Sequence, residues 1–383
     1  MDFSIPQETL EETGRFRDFL EKNLSPRLSQ WYEQGAVPKS FFSLVAEQGW
    51  FSFSFGEDRV KKNTALREAL FAEELAKISP GVAVAILAHQ DLGLTGLWLF
   101  GSPLLQRKYG PSAVLGKTLL CVGNTESAAG SDSANIAMQA KKVDGGWVLN
   151  GAKAYVTNGF ISDYAMLTAV SDPESERSRR ISMFLVDLRS EGVVRSKLNK
   201  QVWVPSDLTR VQCSNVFVPE DHLVGERRRG LQQVLSIFTY SRVVISALTL
   251  GTALGAFELA VEHGKKRKIF GQSVLDQQGK AFELADLFSR LEATRLMILK
   301  ACWAMDQGQD FRLESSLAKY LAVQIARDVT VWAADLFGAA SVIREHLIHK
   351  FPMDAWASSL GEGTQDVQKL VIFREVMKRN SDK

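Results

Sequence analysis

Apolar residues recur at helical spacings through the first third of the chain. The ranges 8–34 and 64–78 both show this periodicity, and each is predicted to be helical. The range 80–99 is strongly apolar and starts with Pro and Gly, which predicts a third helical segment. A further short helix is predicted over 103–109, because its first residue is a proline. The range 111–116 is the predicted end of this helical part.

The pattern then changes to that of β-strands. Apolar runs and alternating apolar positions predict strands over 181–186, 201–204 and 211–217. In the last of these strands the residues that alternate with their neighbours are Val211, Cys213, Asn215 and Phe217. The range 144–146, Asp-Gly-Gly, predicts a hairpin turn, because glycine adopts turn conformations without steric cost. The polar range 172–180 is predicted to be an exposed loop.

Helical periodicity returns for the rest of the chain. A buried stripe along one long helix is predicted from Leu284, Leu287, Leu291 and Ile298. The range 317–337 is dense in Ala, Leu and Val, and Gly338 is well placed to end that helix. Long helices with short connections predict an antiparallel four-helix bundle.

Together these patterns predict an α+β fold in three parts. We expect an N-terminal helical domain over residues 1–116, a β domain over 117–225 and a C-terminal helical bundle over 226–383. A chain of 383 residues is long enough for two or three domains of about 150 residues each.

Charge and hydropathy argue against two classes of partner. The chain has 46 Lys and Arg against 44 Asp and Glu, and a net charge of +2 gives no general attraction to nucleic acid or anionic lipid. The acidic N-terminus lacks an apolar signal region, and the most apolar later stretch, 244–257, is too short to span a bilayer. We therefore expect neither a nucleic acid nor a membrane as partner.

The cysteines indicate a reducing compartment. Cys121, Cys213 and Cys302 are odd in number and far apart, and no two of them form a CxxC pair. This argues against a disulfide framework and against a zinc site. The sequence therefore predicts a cytoplasmic protein without a bound metal.

The range 124–159 is a candidate ligand site. It holds two loops rich in Gly, Ala, Ser and Thr, joined by the predicted hairpin. Small side chains allow backbone N–H groups and hydroxyls to approach a large polar ligand. Glycine-rich turns between strands are more often simply turns, so this range alone does not assign a function.

Four separated motifs resemble those of the acyl-CoA dehydrogenase family of flavoproteins. TESAAGSD at 125–132 is similar to the family's TEPxAGSD, and AYVTNG at 154–159 to its W-[IV]-TNG. RKIFGQSVLDQQ at 267–278 is similar to RxxFG followed by Gln, and GEGT at 361–364 matches the EGT that carries the catalytic glutamate. The resemblance covers essentially the whole chain. It implies a helical domain, a middle β-barrel or sandwich and a four-helix bundle.

The resemblance implies that the chain binds FAD and that two subunits share each FAD site. The residues implied on the flavin and its diphosphate are Asn124, Thr125, Ser131, Tyr155 and Thr157. Those implied on the adenine and diphosphate end of a neighbouring subunit's FAD are Arg267, Phe270 and Gln278. Further cofactor contacts are implied for Val156, Gly338, Thr364 and Asp366. A homo-oligomer follows, either a dimer or a homotetramer built as a dimer of dimers.

The resemblance also implies that Glu362 is the catalytic base. Removal of a proton alpha to a thioester carbonyl needs a carboxylate in a dry site, where its pKa is raised. Some relatives carry the base on the helix that bears Arg242, but the matching residue here is Ser241, which cannot serve. In the family the glutamate's backbone N–H and a flavin hydroxyl bind the thioester oxygen. The alternative is that Glu362 is an ordinary exposed carboxylate beside glycine.

Contacts with the substrate are implied for six residues. They are Asp91, Ser131, Arg242, Gly361, Gly363 and Arg374. For the two arginines the alternative is a structural ion pair. Asp91 lies in a segment that helps line the acyl pocket of relatives, some of which use an aspartate there as a second base on cyclic substrates. The alternative for Asp91 is a helix cap or a salt bridge with a surface lysine.

Several positions depart from the family pattern. Ser127 stands where the family has Pro, Tyr155 where it has Trp, and Met353 where it has the Arg of its RDA motif. The family's Gln followed by GGxG, which holds the diphosphate, corresponds here to Asp335 and to the range 338–341, Gly-Ala-Ala-Ser. An aspartate near phosphates would repel them, so Asp335 either points away or weakens FAD binding. Gly361 replaces an aromatic residue, which opens space for a branched or cyclic acyl group unless Trp356 or Trp98 refills it.

The predicted function is therefore FAD-dependent α,β-dehydrogenation of an acyl-CoA in fatty acid metabolism. The electrons are expected to pass to an electron-transfer flavoprotein or another acceptor. Three alternatives stay open: an acyl-carrier-protein substrate in biosynthesis, an oxygen-using oxidase or monooxygenase of the same fold, and a non-catalytic binding or assembly protein.

Overall fold

The N-terminal part of the protein is helical. The computed structural model describes residues 4–51, 53–55 and 64–381. Seven helices precede the sheet in these residues: α1 Gln7–Asn23, α2 Leu28–Gln34, α3 Lys39–Glu47, α4 Ala65–Ile78, α5 Pro80–Leu87, α6 Thr95–Phe100 and α7 Pro103–Val114. The helices predicted over 8–34, 64–78 and 80–99 are confirmed, although a π-helical segment, Ala88–Leu94, connects α5 to α6.

Helix α7 is longer than the sequence predicts. It runs past Pro111 to Val114, so the predicted end near Tyr109 is wrong. A proline removes only one hydrogen bond of a helix, and here the helix has less than two turns left. The end is set by Gly116, whose φ of +64° is left-handed and whose N–H bonds to the carbonyl of Ala113.

The middle part is an eight-stranded sheet. Its strands are β1 Leu120–Gly123, β2 Gln139–Val143, β3 Gly146–Thr157, β4 Tyr164–Val170, β5 Ile181–Asp187, β6 Val193–Lys197, β7 Leu208–Pro219 and β8 Leu223–Val224. They pair in the order β6-β7-β3-β2-β4-β5-β8, with β1 beside β4. The predicted hairpin at 144–146 joins β2 to β3, and 172–180 is the predicted exposed loop.

Two strand predictions are wrong in detail. The range 201–204 is not a strand, because Trp203 has a left-handed φ of +48° and its N–H bonds to Asp354 rather than to a neighbouring strand. In β7, Asn215 has a φ of +55° and shifts the alternation by one residue. Phe217 therefore points outward, 51% exposed, and Val216 and Val218 are buried instead.

The C-terminal part contains the predicted long helices. They are α8 Gly230–Lys266, α9 Gln278–Asp306, α10 Arg312–Phe337, α11 Lys350–Ala357 and α12 Gln365–Ser381, with a small hairpin of β9 Lys268–Ile269 and β10 Gln272–Ser273 after α8. Gly338 caps α10 as predicted, with a left-handed φ of +60°. Leu287, Leu291 and Ile298 form the buried stripe of α9, and Leu284 is partly buried.

Helix α8 connects the two helical parts and is central to the core. A side chain at Gly251 would meet the carbonyl oxygen of Glu73 at 2.4 Å, so glycine allows α4 to pack directly on α8. By length and composition two described stretches, Pro80–Phe100 and Gly230–Lys266, are apolar enough to cross a membrane. The argument that 244–257 is too short therefore fails for the whole helix. Both apolar windows are 83% buried inside the protein, so the core accounts for their composition.

Candidate active site

Two adjoining cavities lie where the three parts of the fold meet. The inner cavity has a volume of about 160 Å³ and lies between the π-helical segment, the end of β3 and α8. The second cavity, here called the outer cleft, has a volume of about 510 Å³ and is also lined by Gly363, Thr364 and Val367, at the start of α12. Both are lined by Asn124, Thr125, Tyr155, Thr157, Trp203, Phe238, Gly361 and Glu362. The structure therefore brings the TES, TNG and EGT motifs to one place.

Glu362 stands at the junction of the two cavities, in the loop between α11 and α12. Its φ of +53° is left-handed, a conformation that costs a non-glycine residue about 1–3 kcal/mol and persists only when the surroundings enforce it. Oε1 accepts a 2.7 Å hydrogen bond from the Ser241 hydroxyl. Oε2 is buried without a hydrogen-bond partner among the described residues. The alternative of an ordinary exposed loop carboxylate does not fit this setting.

Burial controls the acidity of Glu362. Desolvation raises the pKa of its carboxyl, and the positive charges of Lys319 and Arg242 and the hydrogen bond from Ser241 oppose that effect. The carboxylate can thus act as a base in a dry site, while three neighbours favour its ionised form.

Three polar side chains hold the backbone carbonyls of this loop. Lys319, on α10, donates to the carbonyls of Gly361 and Gly363, the second at 2.6 Å. The Gln368 amide donates to the carbonyls of Glu362 and Gly363, at 3.2 and 2.9 Å. Arg242 contacts the Glu362 carbonyl at 3.5 Å.

The TES and TNG loops are fixed to each other beneath the outer cleft. The buried Lys153 ammonium donates to the Asn124 carbonyl at 3.0 Å and to Glu126 at 2.8 Å. The Ala154 N–H donates to the Thr125 carbonyl at 2.9 Å. Tyr155 has a φ of +61° and remains 57% exposed.

The outer cleft fits a flavin nucleotide by its donor chemistry. Hydroxyl groups line it at Thr125, Ser131, Ser133 and Thr157, beside the exposed Tyr155 ring. Hydroxyl donors suit the ring carbonyls and the diphosphate of a flavin nucleotide, and a flat aromatic side chain suits its ring system. Gly363, Thr364 and Arg242 also line this cleft, and Val156 lines the inner cavity.

Other predicted residues lie outside both cavities. Arg267, Phe270, Gln278, Gly338, Asp366 and Arg374 line neither of them. Phe270 is 96% exposed at the tip of the β9–β10 hairpin. The Arg267 Nη1 donates to the carbonyl of Phe337 at 2.8 Å, so Arg267 lies beside Gly338. The exposed Asp335 lies on the last turn of α10, and Asp366 pairs with Lys369 at 3.1 Å.

There is open space at Gly361, the residue before the base. A side chain at Gly361 would meet nothing within 4 Å. Trp356 and Trp98 line neither cavity, so they do not refill this space as the sequence allowed. Asp91, in the π-helical segment, lines the inner cavity together with Glu362 and is only 2% exposed. It is therefore not a surface carboxylate.

Sequence reasoning missed Trp203, Phe238 and Lys319. Trp203 lies in a range taken for a strand, and its position depends on a 2.6 Å bond from its N–H to Asp354. Burial raises the pKa of Asp354 to about 7. Lys319 did carry a signal, because a lone lysine in an apolar helical stretch must find a partner when it is buried.

Domain families and full-length relatives match this chain. The acyl-CoA dehydrogenase N-terminal, middle and C-terminal domains match residues 7–117, 121–216 and 228–377. A probable acyl-CoA dehydrogenase of Mycobacterium tuberculosis is 29% identical over 379 residues, 98% of this chain and 97% of the relative. The CarC subunit of the caffeyl-CoA reductase–Etf complex of Acetobacterium woodii is 29% identical over 366 residues, 95% of this chain and 96% of the relative.

Solved structures share the whole fold. Butyryl-CoA dehydrogenase of Megasphaera elsdenii is 28% identical, with a TM-score of 0.94 over 98% of this chain and 100% of that one. PigA, solved with FAD and proline, is 27% identical, with a TM-score of 0.93 over 99% of this chain and 100% of that one.

Proposed function

The chain belongs to the acyl-CoA dehydrogenase family, and we propose that it is an FAD-dependent oxidoreductase that converts an acyl-CoA to its α,β-enoyl form. The observation that carries the proposal is the Glu362 carboxylate, whose Oε2 is buried, at the junction of the inner cavity and the outer cleft. Val84, Leu87 and Ile245 line only the inner cavity, and the hydroxyl groups of Ser131 and Ser133 line only the outer cleft. The inner cavity would take the acyl group and the outer cleft the flavin. We also keep 1–116, 117–225 and 226–383 as the proposed domains.

Glu362 performs the proton transfer in this proposal. Its carboxylate takes the proton from the α-carbon, and the C–H electron pair moves toward the thioester carbonyl, whose oxygen becomes negative. The backbone N–H of Glu362 donates to that oxygen. When bound, FAD would supply the acceptor for the β-hydrogen, which leaves as hydride. The electron pair held on the oxygen then restores the carbonyl, and the Cα=Cβ double bond forms.

The residues that would hold FAD come from both sides of a subunit interface. Asn124, Thr125, Ser131, Tyr155, Val156, Thr157 and Thr364 would contact the subunit's own FAD. Asp366 stays a predicted contact, although it lines neither cavity. Arg267, Phe270, Gln278 and Gly338 would reach the FAD of a partner copy. Their position outside the cavities of their own chain supports this assignment, and it requires a dimer or a tetramer.

Ser241→Ala is expected to move the acidic limb of the pH–rate profile to higher pH. Only ionised Glu362 accepts a proton, so kcat/KM falls as pH decreases through its raised pKa. A hydrogen bond to a charged group contributes about 1.5–3 kcal/mol, and about 1.4 kcal/mol corresponds to one pKa unit. We therefore expect a shift of about one to two pH units, measured from kcat/KM against pH.

Thr252→Val is the matched control for that shift. Thr252 is also buried on α8, and among the residues that the structure describes its hydroxyl bonds only to the carbonyl of Leu248, at 2.9 Å. The acidic limb of the pH–rate profile of Thr252→Val should stay where it is in the wild type. If the acidic limb of Ser241→Ala also stays there, the hydrogen bond from Ser241 does not lower the pKa of Glu362.

The acyl group is proposed to be branched or cyclic. The open space beside Gly361 and the apolar side chains of Val84, Leu87 and Ile245 support a bulky acyl group. Arg242, 7% exposed at the outer cleft, is placed to meet the CoA part, together with Ser131 and Gly363. Arg374 lies on the exposed side of α12, and a contact with CoA there remains a prediction.

Asp91→Asn tests whether a second carboxylate takes part on such substrates. FAD binding should stay intact, because Asp91 does not line the outer cleft. If Asp91 removes a second proton, turnover of one class of cyclic acyl-CoA should be lost while straight-chain turnover persists. Steady-state rates over a panel of acyl-CoAs measure this. Unchanged turnover of every accepted substrate would exclude a catalytic Asp91.

The electron acceptor is proposed to be an electron-transfer flavoprotein. The Acetobacterium relative is named as a subunit of a complex with Etf, which supports this choice. A cytoplasmic location is proposed as well, because the buried Cys121, Cys213 and Cys302 form no disulfide within the described residues.

Product analysis tests the proposed function. The purified protein, with FAD and an artificial electron acceptor, should convert an acyl-CoA to a product that has lost two hydrogens, identified by mass spectrometry. Product carrying an added oxygen would indicate the oxygen-using alternative. Conversion only of acyl groups on a carrier protein would indicate the biosynthetic one.

A further inference from the structure

Lys319 is a buried cation beside the candidate base. Its side chain is 0% exposed on α10, although burial of an ammonium is costly unless the charge is compensated. The charged groups that act on it are Glu362 and Arg242. Its hydrogen bonds in the described residues go to the carbonyls of Gly361 and Gly363, which stand on either side of Glu362.

These two bonds hold a backbone conformation that is unfavourable by itself. Glu362 and Gly363 have left-handed φ angles of +53° and +95°. The carbonyl of Gly363 has a second donor in Gln368, at 2.9 Å. The carbonyl of Gly361 has only Lys319 as donor among the described residues. The peptide that precedes Glu362 is therefore held by Lys319 alone.

The geometry of that peptide determines where the N–H of Glu362 points. In a trans peptide the C=O and the N–H point in opposite directions, and no described peptide is cis. Because Lys319 binds the Gly361 carbonyl on the α10 side, the Glu362 N–H points away from α10. It makes no hydrogen bond to another described group. A donor held in this way is pre-organised for the negative charge that develops on the thioester oxygen.

We propose that Lys319 is a positioning residue for acyl-CoA oxidation, which orients the carboxylate and the N–H of Glu362 together by holding the carbonyls on both sides. The inference rests on the proposed role of Glu362 as the base. Lys319 touches neither reacting carbon. Its positive charge also favours the ionised form of Glu362.

The test compares Lys319→Met with Thr330→Val. Methionine keeps the length of the side chain and removes both donors and the charge. Thr330 is equally buried on α10, and within the described part of the chain its hydroxyl bonds only to carbonyls of that helix, so its variant is a matched control. Lys319→Gln, which keeps one donor, is the second variant in case methionine does not fold.

Three readouts separate positioning from a purely structural role. The first is exchange of the substrate's α-proton in D₂O, which follows proton transfer without net oxidation. The second is the pKa of the Glu362 carboxyl, followed by infrared difference spectroscopy without substrate and assigned with Glu362→Gln. The third is FAD content with the thermal unfolding midpoint, which reports on folding and cofactor retention.

Lys319→Met is expected to keep its FAD while exchange slows about 10²- to 10³-fold, as when an oxyanion-hole donor is removed. The pKa of Glu362 should rise, KM should change little, and Lys319→Gln should be intermediate. Thr330→Val should match the wild type. Exchange within threefold of the wild type and an unmoved pKa of Glu362 would overturn the proposal.

Loss of FAD in both Lys319 variants, with normal exchange after reconstitution, would also overturn it in favour of a structural role. Glu362→Gln is measured in parallel. If that variant exchanges the α-proton normally, the proposed base itself is wrong. If it does not and Lys319→Met does, only the inference about Lys319 fails.

Discussion

Glu362→Gln is expected to lower kcat about 10²- to 10⁴-fold, the usual contribution of a well-placed general base. Glutamine has nearly the same shape and retains an oxygen that can accept from Ser241, but it has no basic site for the α-proton. Steady-state rates with the best acyl-CoA measure the loss. Because Ser241 cannot replace the base, no second residue on α8 should restore the activity.

Glu262→Gln is the control for this effect. Glu262 is a carboxylate on the same helix as Ser241, but it is exposed and pairs with Lys266 at 2.5 Å. Its variant should keep wild-type rates and FAD content. A Glu362→Gln enzyme that binds FAD and retains most of its activity would contradict the assignment of the base.

Arg267→Ala is expected to weaken FAD binding about 10- to 100-fold, because a charge-assisted hydrogen bond contributes about 1.5–3 kcal/mol. The proposal places this arginine on the FAD of a partner subunit. Arg267 also bonds to the carbonyl of Phe337 in its own chain, so a loss of FAD could arise from either role. FAD titration of the apoprotein measures the affinity.

Mixed oligomers distinguish these two roles. We consider a hybrid of one Arg267→Ala subunit and one Glu362→Gln subunit. If Arg267 acts across the interface, one active site lacks both Glu362 and Arg267, and the other active site has both. Activity should therefore return on mixing two inactive variants, at FAD concentrations that do not saturate Arg267→Ala alone. If Arg267 acts only within its own chain, every site in the hybrid has a defect and mixing restores nothing.

The fold was predictable because its signals are local. Helical and strand periodicities gave the order of helices, sheet and bundle, and four motifs gave the family. The exceptions are positions where a long-range contact overrides local preference. Trp203 looks like a strand residue, but its N–H is held by Asp354 from α11, a contact that lies 151 residues away in sequence. Asn215 shows the same limit on local signals, because its N–H bonds to the side chain of Asn150, which lies 65 residues away in sequence.

The sequence predicts only those residues of the candidate site that belong to the four motifs. Glu362 and the two hydroxyl-rich loops follow from sequence, because their spacing is that of a known pattern. Lys319 does not, because its importance comes from the carbonyls it meets, and those belong to a loop more than 40 residues further along. The space beside Gly361 is expected from the sequence, because glycine has no side chain. Only the structure shows that neither Trp356 nor Trp98 fills this space.

The most direct test of the central claim is an anaerobic titration of the FAD-loaded protein with straight, branched and cyclic acyl-CoAs, following the absorbance of oxidised flavin. We expect an acyl-CoA to bleach the flavin, most strongly one with a branched or cyclic acyl group. Bound flavin that no acyl-CoA bleaches would contradict the proposed dehydrogenation, and bleaching only by straight chains would contradict the proposed acyl class.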